Sequence, residues 1–175
     1  MSRKCHSVTD QCPYATSVRE LIYPCAGAPV VAAARKACPD TVIDVKLGCI
    51  DPENRIAEFA AAGADAISFH PEATKQPAAV AHRIRDAGVA PGIVLNPGTA
   101  VASVEPLLGL VDLAVVMLVS PGYGGPKYTE LAVDNCVEIY QGVGCTVDAT
   151  IQHERAVKFD FHTGRQGQGV ARAAP

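Results

Sequence analysis

Between about Gly27 and Tyr128 the chain alternates between two textures. Short apolar or β-branched runs at Val42–Leu47, Ala66–His70, Gly92–Leu95 and Leu113–Val119 end in polar or Gly/Pro loops, and Ala-rich amphipathic stretches follow. The runs start 24, 26 and 21 residues apart. A strand of about five residues, a helix of about twelve and two short loops fill that period. Runs that are apolar throughout predict parallel strands buried on both faces. The helices between them carry their own punctuation. Asp51-Pro52-Glu53 reads as an N-cap, a proline at the first helical position and an acid in the first turn. Ile56, Phe59 and Ala60 then share a face, and Gly63 supplies the stop. A second helix is predicted over Pro77 to Asp86, ending at Gly88. A third follows Thr99 and, meeting Pro106, must be short or begin again there. Repeated strand–helix units predict an α/β fold with right-handed crossovers.

Two architectures fit such a pattern, an open doubly wound sheet and a closed eight-unit barrel. At about 25 residues per unit the chain of 175 residues holds at most about seven units, while a barrel usually takes about 200 residues or more. Length alone favours the open sheet. Composition adds exclusions: 49% hydrophobic and 19% charged residues suit one compact domain and rule out a disordered chain. A net charge of −3 without a basic stripe gives no footprint for nucleic acid. The longest apolar run, Leu113 to Val119, is far too short to cross a bilayer. MSRKCHSVTD has no apolar stretch behind its basic start. A soluble cytoplasmic protein is therefore expected. The seven cysteines include no C-x-x-C pair, so they read as free thiols rather than a disulfide framework or zinc ribbon.

Three motifs decide between the architectures. FHPEAT (Phe69–Thr74), LNPGT (Leu95–Thr99) and VVMLVSPGYGG (Val115–Gly125) stand in one order and spacing. With the preceding APVVAAARK and IDVKLGCIDPENRIAEFAAAGADAIS segments, they make the chain resemble the ribulose-phosphate 3-epimerase family. The resemblance implies a (β/α)8 TIM-barrel type fold, here incomplete and shortened at both ends, with about five or six recognisable strand–helix units. The expected layout is a divergent N-terminal segment over 1–26, a ribulose-phosphate-binding barrel-like domain over 27–150 and a divergent tail over 151–175. A barrel short of its first and last strands leaves sheet edges unpaired, which predicts a homo-oligomer that covers them.

The resemblance also implies a chemistry, in which the C3 proton of ribulose 5-phosphate leaves and returns on the opposite face to give xylulose 5-phosphate. Two acid–base groups flank a planar enediolate. In the family they are aspartates, and with two histidines they hold a divalent metal (Zn, Fe or Mn) that stabilises the enediolate oxygens. Carried over residue by residue, Val147-Asp148-Ala149-Thr150 matches the segment of the second aspartate, which makes Asp148 the candidate acid–base group and metal ligand. The position of the first aspartate falls at Tyr14. Lys46, in Asp44-Val45-Lys46-Leu47-Gly48, stands where the family has a metal histidine, and a protonated ammonium has no lone pair to offer a metal. Gly122, Tyr123, Gly124 and Gly125 form the candidate phosphate loop, with Met117, Ala149 and Thr150 beside it.

Lys46 admits further readings. In one, it places positive charge beside an enediolate oxygen, as in the related sugar-phosphate lyases with a D-x-K motif, where Asp44 and Lys46 share a face. Otherwise it is a salt-bridge partner in a site that has lost its chemistry. His70 is expected to be structural. Beside the isomerase reading stand a catalytically inactive sugar-phosphate-binding or regulatory relative and a metal-free lyase using Asp44 and Lys46.

Overall fold

The computed structural model describes residues 18–19, 27–119, 134–139, 146–152 and 156–162. In chain order they form β1 (Val18–Arg19), α1 (Ala28–Ala37), β2 (Asp44–Gly48), α2 (Ile56–Ala61), β3 (Ala66–Phe69) and α3 (Pro77–Asp86). There follow β4 (Ala90–Leu95), α4 (Glu105–Leu108), β5 (Leu113–Met117), a helix α5 over 134–139, β6 (Thr146–Gln152) and β7 (Ala156–His162). Single 3-10 turns at Pro52–Asn54, Pro71–Ala73 and Val101–Ser103 open the loops after β2, β3 and β4.

All seven strands join one sheet in the order β1-β2-β3-β4-β5-β7-β6. The first five run parallel, and the four apolar runs of the sequence are its strands β2 to β5. β7 then pairs antiparallel with β5, and β6 antiparallel with β7. Helices alternate with the parallel strands, an α/β pattern consistent with the TIM-barrel type.

Burial separates the two faces of the sheet residue by residue, because successive side chains of a strand point to opposite sides. Val45, Leu47, Ile67, Phe69, Ile93, Leu95, Ala114 and Val116 pack with Ile56 and Phe59 of α2 and Val80, Ala81 and Ile84 of α3. The residues between them form a second, smaller cluster of Ala66, Val94, Leu113, Val115 and Met117. Register adds Asp44, Lys46, Ser68 and Gly92 to this inner face. Leu113 and Val115 are buried there although the surrounding helices lie on the other side, so the sheet curls toward its inner face. Gly92 is required by the same crowding. A Cβ at that position would stand 2.7 Å from Leu113 Cγ and 2.8 Å from Ser68 Cβ, well inside van der Waals contact.

One helix start differs from expectation. Asp51 makes no side-chain cap; its backbone is left-handed at φ 50 and ψ 57, whereas an N-cap needs extended backbone. Its N–H instead donates to the Ala73 carbonyl at 3.0 Å, tying the loop after β2 to the loop after β3. α2 consequently begins only at Ile56, behind a 3-10 turn. Gly63 and Gly88 do end their helices, with φ +97 and +77, conformations that glycine adopts without steric penalty. Pro106 falls in the first turn of the four-residue α4, as a restarted short helix requires.

Two arginine clasps fasten the amino-terminal ends of the strands. Arg35, in the last turn of α1, donates to the carbonyls of Thr41 (2.7 Å) and Gly63 (2.8 Å) and pairs with Asp65. Asp65 also accepts the Ile43 N–H at 2.8 Å, so one carboxylate joins the starts of β2 and β3. Two units later Arg85 of α3 repeats the device, donating to the Leu110 carbonyl and to Asp112, both at 2.9 Å, just before β5. Hydrogen bonds to charged groups are among the stronger ones. The ends of the strands opposite the clasps are thus left for loops of other purpose.

Candidate active site at the carboxyl ends of the strands

At their carboxyl ends β2, β3 and β4 present polar residues on the inner face. Lys46 pairs in register with Ser68, and Ser68 with Gly92. His70 and Asn96 follow directly after the last residues of β3 and β4. Having only hydrogen opposite Ser68, Gly92 leaves the centre of this row open to Leu113 and Ser68. The Lys46 Nζ reaches across two strands and donates to Met117 Sδ of β5 at 2.8 Å. Strands three steps apart in a flat sheet are separated by about 14 Å, so this contact depends on the inward curl.

Several polar atoms here have no hydrogen-bond partner among the described residues: Ser68 Oγ, His70 Nδ1 and Asn96 Oδ1. Ser68 is 1% exposed. A buried polar atom without a partner costs about 1–3 kcal/mol, and these three, gathered at the carboxyl ends of β3 and β4, leave hydrogen-bonding capacity unused among the described residues.

A collar of loop-to-loop hydrogen bonds surrounds them. Glu72 accepts from Thr99 Oγ1 and, at 3.4 Å, from Asn96 Nδ2. Thr74 Oγ1 donates to Glu53 at 3.3 Å and accepts from the Gln76 N–H. Asn135 of α5, 2% exposed, donates to the Thr99 carbonyl at 2.9 Å. FHPEAT and LNPGT are therefore largely the two halves of a latch: Glu72 of the first holds Asn96 and Thr99 of the second. This fixes the βα loops around Lys46 and His70.

Burial governs the titration of the two basic groups. Desolvation lowers the Lys46 pKa from 10.5 to about 8, against the attraction of Asp44, which raises it. For His70 desolvation comes first and the Lys46 charge adds to it, while Glu72 opposes them, and the result is about 4. At pH 7 the imidazole is neutral, and about a tenth of the amine is unprotonated.

Of the residues predicted from sequence, Lys46 and Met117 come together by direct contact. Asp44 lies on the same face of β2. Asp148, Ala149 and Thr150 lie on β6, opposite Asp160, Phe159 and Lys158 of β7; their side chains lie outside the described residues, as do Gly122, Tyr123, Gly124 and Gly125 and the position of Tyr14. A resident divalent metal does not fit the donors described. The histidine position holds Lys46, whose ammonium donates rather than accepts. No three His, Cys, Asp or Glu residues among the described residues are grouped to hold an ion.

A model of the ribulose-phosphate 3 epimerase family matches residues 25–160. The chain belongs to this family. Among curated proteins it is similar to the chloroplastic ribulose-5-phosphate-3-epimerase of Arabidopsis thaliana, 39% identical over 109 residues, or 60% of this chain and 38% of that one. It is 36% identical to ribulose-phosphate 3-epimerase of Candida glabrata over 116 residues, 66% of this chain and 47% of the relative. With that of Bacillus subtilis it shares 35% over 111 residues, 63% of this chain and 51% of the relative. The chain thus spans about half the length of these epimerases or less. No helix among the described residues is long and apolar enough to cross a membrane.

Ser68, Asn96, Glu72 and Glu53 are site residues that reading the sequence passed over. Ser68 and His70 repeat, on β3, the two-residue spacing of Asp44 and Lys46 on β2. In a parallel sheet that spacing alone places all four on one face. Glu72 and Asn96 were visible only as letters of the family motifs.

Proposed function

We propose that this chain is a ribulose-phosphate 3-epimerase, interconverting ribulose 5-phosphate and xylulose 5-phosphate by proton transfer at C3, in pentose phosphate metabolism in the cytoplasm. The observation that carries this reading is the gathering of Lys46, Ser68, His70 and Asn96 at the carboxyl ends of neighbouring parallel strands in a member of this family. Barrels of this type place their chemistry at that end. Lys46 lends positive charge to the enediolate oxygen, where fixed charge in a dry site acts most strongly. Asp148 is assigned to proton transfer on one side of the enediolate. Gly122, Tyr123, Gly124 and Gly125, with Met117, Ala149 and Thr150, are assigned to the phosphate. A divalent metal would need Asp148 and further donors outside the described residues, and no step relies on it. Self-association is proposed to cover the strand edges.

The test is a coupled assay for xylulose 5-phosphate, run with the 175-residue chain in deuterated water. Turnover with deuterium entering C3 is expected. The absence of both product and exchange would overturn the reading. Lys46 in the histidine position favours a second reading, a sugar-phosphate-binding relative without turnover. Calorimetric binding of ribulose 5-phosphate without exchange at C3 would select it. A metal-free lyase using Asp44 and Lys46 would instead cleave a keto-sugar phosphate, with Lys46→Ala abolishing the cleavage.

A further inference from the structure

The amine of Lys46 is placed as a nucleophile rather than as a surface charge. It stands on the inner face of β2, partly accessible, among Ser68, His70 and Met117 from β3 and β5. Its described hydrogen bond goes to a thioether, a weak acceptor that gives up its donor easily. Among the described residues, Asp44 on its own strand raises its pKa, and the Lys46 charge in turn lowers that of His70 at the end of β3. His70 is neutral at pH 7, and desolvation holds the amine at about 8. Relative to an ordinary lysine, the unprotonated fraction at pH 7 rises on the order of 300-fold. Desolvated lysines of this kind are the ones that attack carbonyl groups.

We propose that Lys46 condenses with the ketone of a small 2-ketose phosphate to form an imine. The choice of a phosphorylated ketose as ligand rests on the function proposed above; the amine chemistry does not. The nitrogen lone pair bonds to the carbonyl carbon, and the carbonyl oxygen takes up the proton that nitrogen gives up, forming a carbinolamine. That hydroxyl leaves as water with a second proton from nitrogen as the C=N bond closes. The step is a dehydration without net oxidation or reduction. Ser68 Oγ, His70 Nδ1 and Asn96 Oδ1, which have no partners among the described residues, supply hydrogen-bonding capacity to the hydroxyls around the new bond. Taking up a proton from solvent, the imine becomes an iminium ion, an electron sink next to C3. Because the C2 oxygen has left as water, this role takes the place of the charge that Lys46 would lend an enediolate oxygen.

Borohydride trapping tests this directly, because hydride reduces the imine to a stable secondary amine. The full chain is incubated with ribulose 5-phosphate, and separately with dihydroxyacetone as a ketone without phosphate, then reduced and mapped by mass spectrometry. The exposed Lys36 and Lys75 serve as controls in the same sample. Trapping at Lys46 is expected to exceed that at either control by at least tenfold at pH 8, and to rise with pH to half its maximum near 8. Lys46→Arg keeps the charge and cannot form the imine, so the adduct at that position disappears. The comparison with Lys36 and Lys75 in the unaltered chain needs no variant to fold. Labelling of Lys46 no faster than the controls, with both ketones, overturns the proposal. Epimerase turnover without an adduct would refute the imine and leave the epimerase reading standing. An adduct with dihydroxyacetone but not with ribulose 5-phosphate would support the amine chemistry and count against the sugar-phosphate reading.

Discussion

Replacing Lys46 by methionine should stabilise the protein, although it removes a residue of the proposed site. The folded-state pKa of Lys46 lies near 8, against 10.5 for a solvated lysine, and burial is the main cause. Between those values the unfolded chain binds more protons than the folded one, so stability rises with pH across that window. Below pH 8 the full penalty of holding the ammonium out of water is present. The difference of the two values corresponds to about 3 kcal/mol. Methionine has a similar shape and leaves no charge to desolvate. The value near 8 already includes the opposing attraction of Asp44, so the expected gain at pH 7 is about 3 kcal/mol. Urea denaturation of both proteins from pH 7 to 10.5 measures this. The native chain should gain stability between pH 8 and 10 relative to Lys46→Met, and the two curves should converge at the alkaline end. Burial also raises the Cys49 and Cys136 thiols, but those titrate alike in both proteins and drop out of the difference. A variant less stable than the parent at pH 7, with an unchanged slope above pH 8, would refute the assignment of a buried, penalised ammonium.

Four further outcomes are expected. His70 has a folded pKa near 4, below its ordinary 6.5, so the unfolded chain binds the extra proton and stability falls as pH drops from 6.5 to 4, by about 3 kcal/mol; His70→Asn should flatten that limb in urea titrations. Gly92→Ala drives a methyl group against Leu113 and Ser68 and should cost about 1–3 kcal/mol by overpacking, read as a lower thermal midpoint. Arg35→Ala unfastens Asp65 and the carbonyls of Thr41 and Gly63; a loss of about 2–3 kcal/mol is expected in denaturation, with amide exchange fastest at the starts of β2 and β3. Ser68→Ala removes a buried hydroxyl with no partner among the described residues and should raise stability by about 1 kcal/mol, while weakening ribulose 5-phosphate binding in calorimetry.

The parallel core was legible because its signal is local. Four apolar runs at even spacing became β2 to β5, and Pro77 to Asp86 became α3 as read. Gly63 and Gly88 stopped their helices because their backbones turn left-handed. Asp51 failed as a cap because its backbone is left-handed rather than extended, in a loop whose Asp51 N–H is tied to the Ala73 carbonyl of another loop. The clasps were equally hidden, since Arg35 and Asp65 lie 30 residues apart and each alone reads as a solvated charge. Within the site, Lys46 stood out by departing from a motif. Ser68 did not, because a serine in an apolar strand carries no mark until register sets it beside Lys46.

The two ends of the strands divide the labour of the fold. At the amino ends the charges pair: Arg35 with Asp65 and Arg85 with Asp112, each also bonded to backbone carbonyls. At the carboxyl ends a half-buried amine donates to a sulfur, and Ser68, His70 and Asn96 leave polar atoms without partners among the described residues. Selection for stability alone would replace such groups with apolar ones, since unmet polar atoms are costly and their isosteric removal is not. Their presence is explained if a ligand completes them, and then binding must return part of the penalty as stabilisation. Ser68 sits on a strand and His70 and Asn96 directly follow two, while the Glu72 latch holds the loops around them. Little ordering is then left for the ligand to impose, and more of its interaction energy is available for binding.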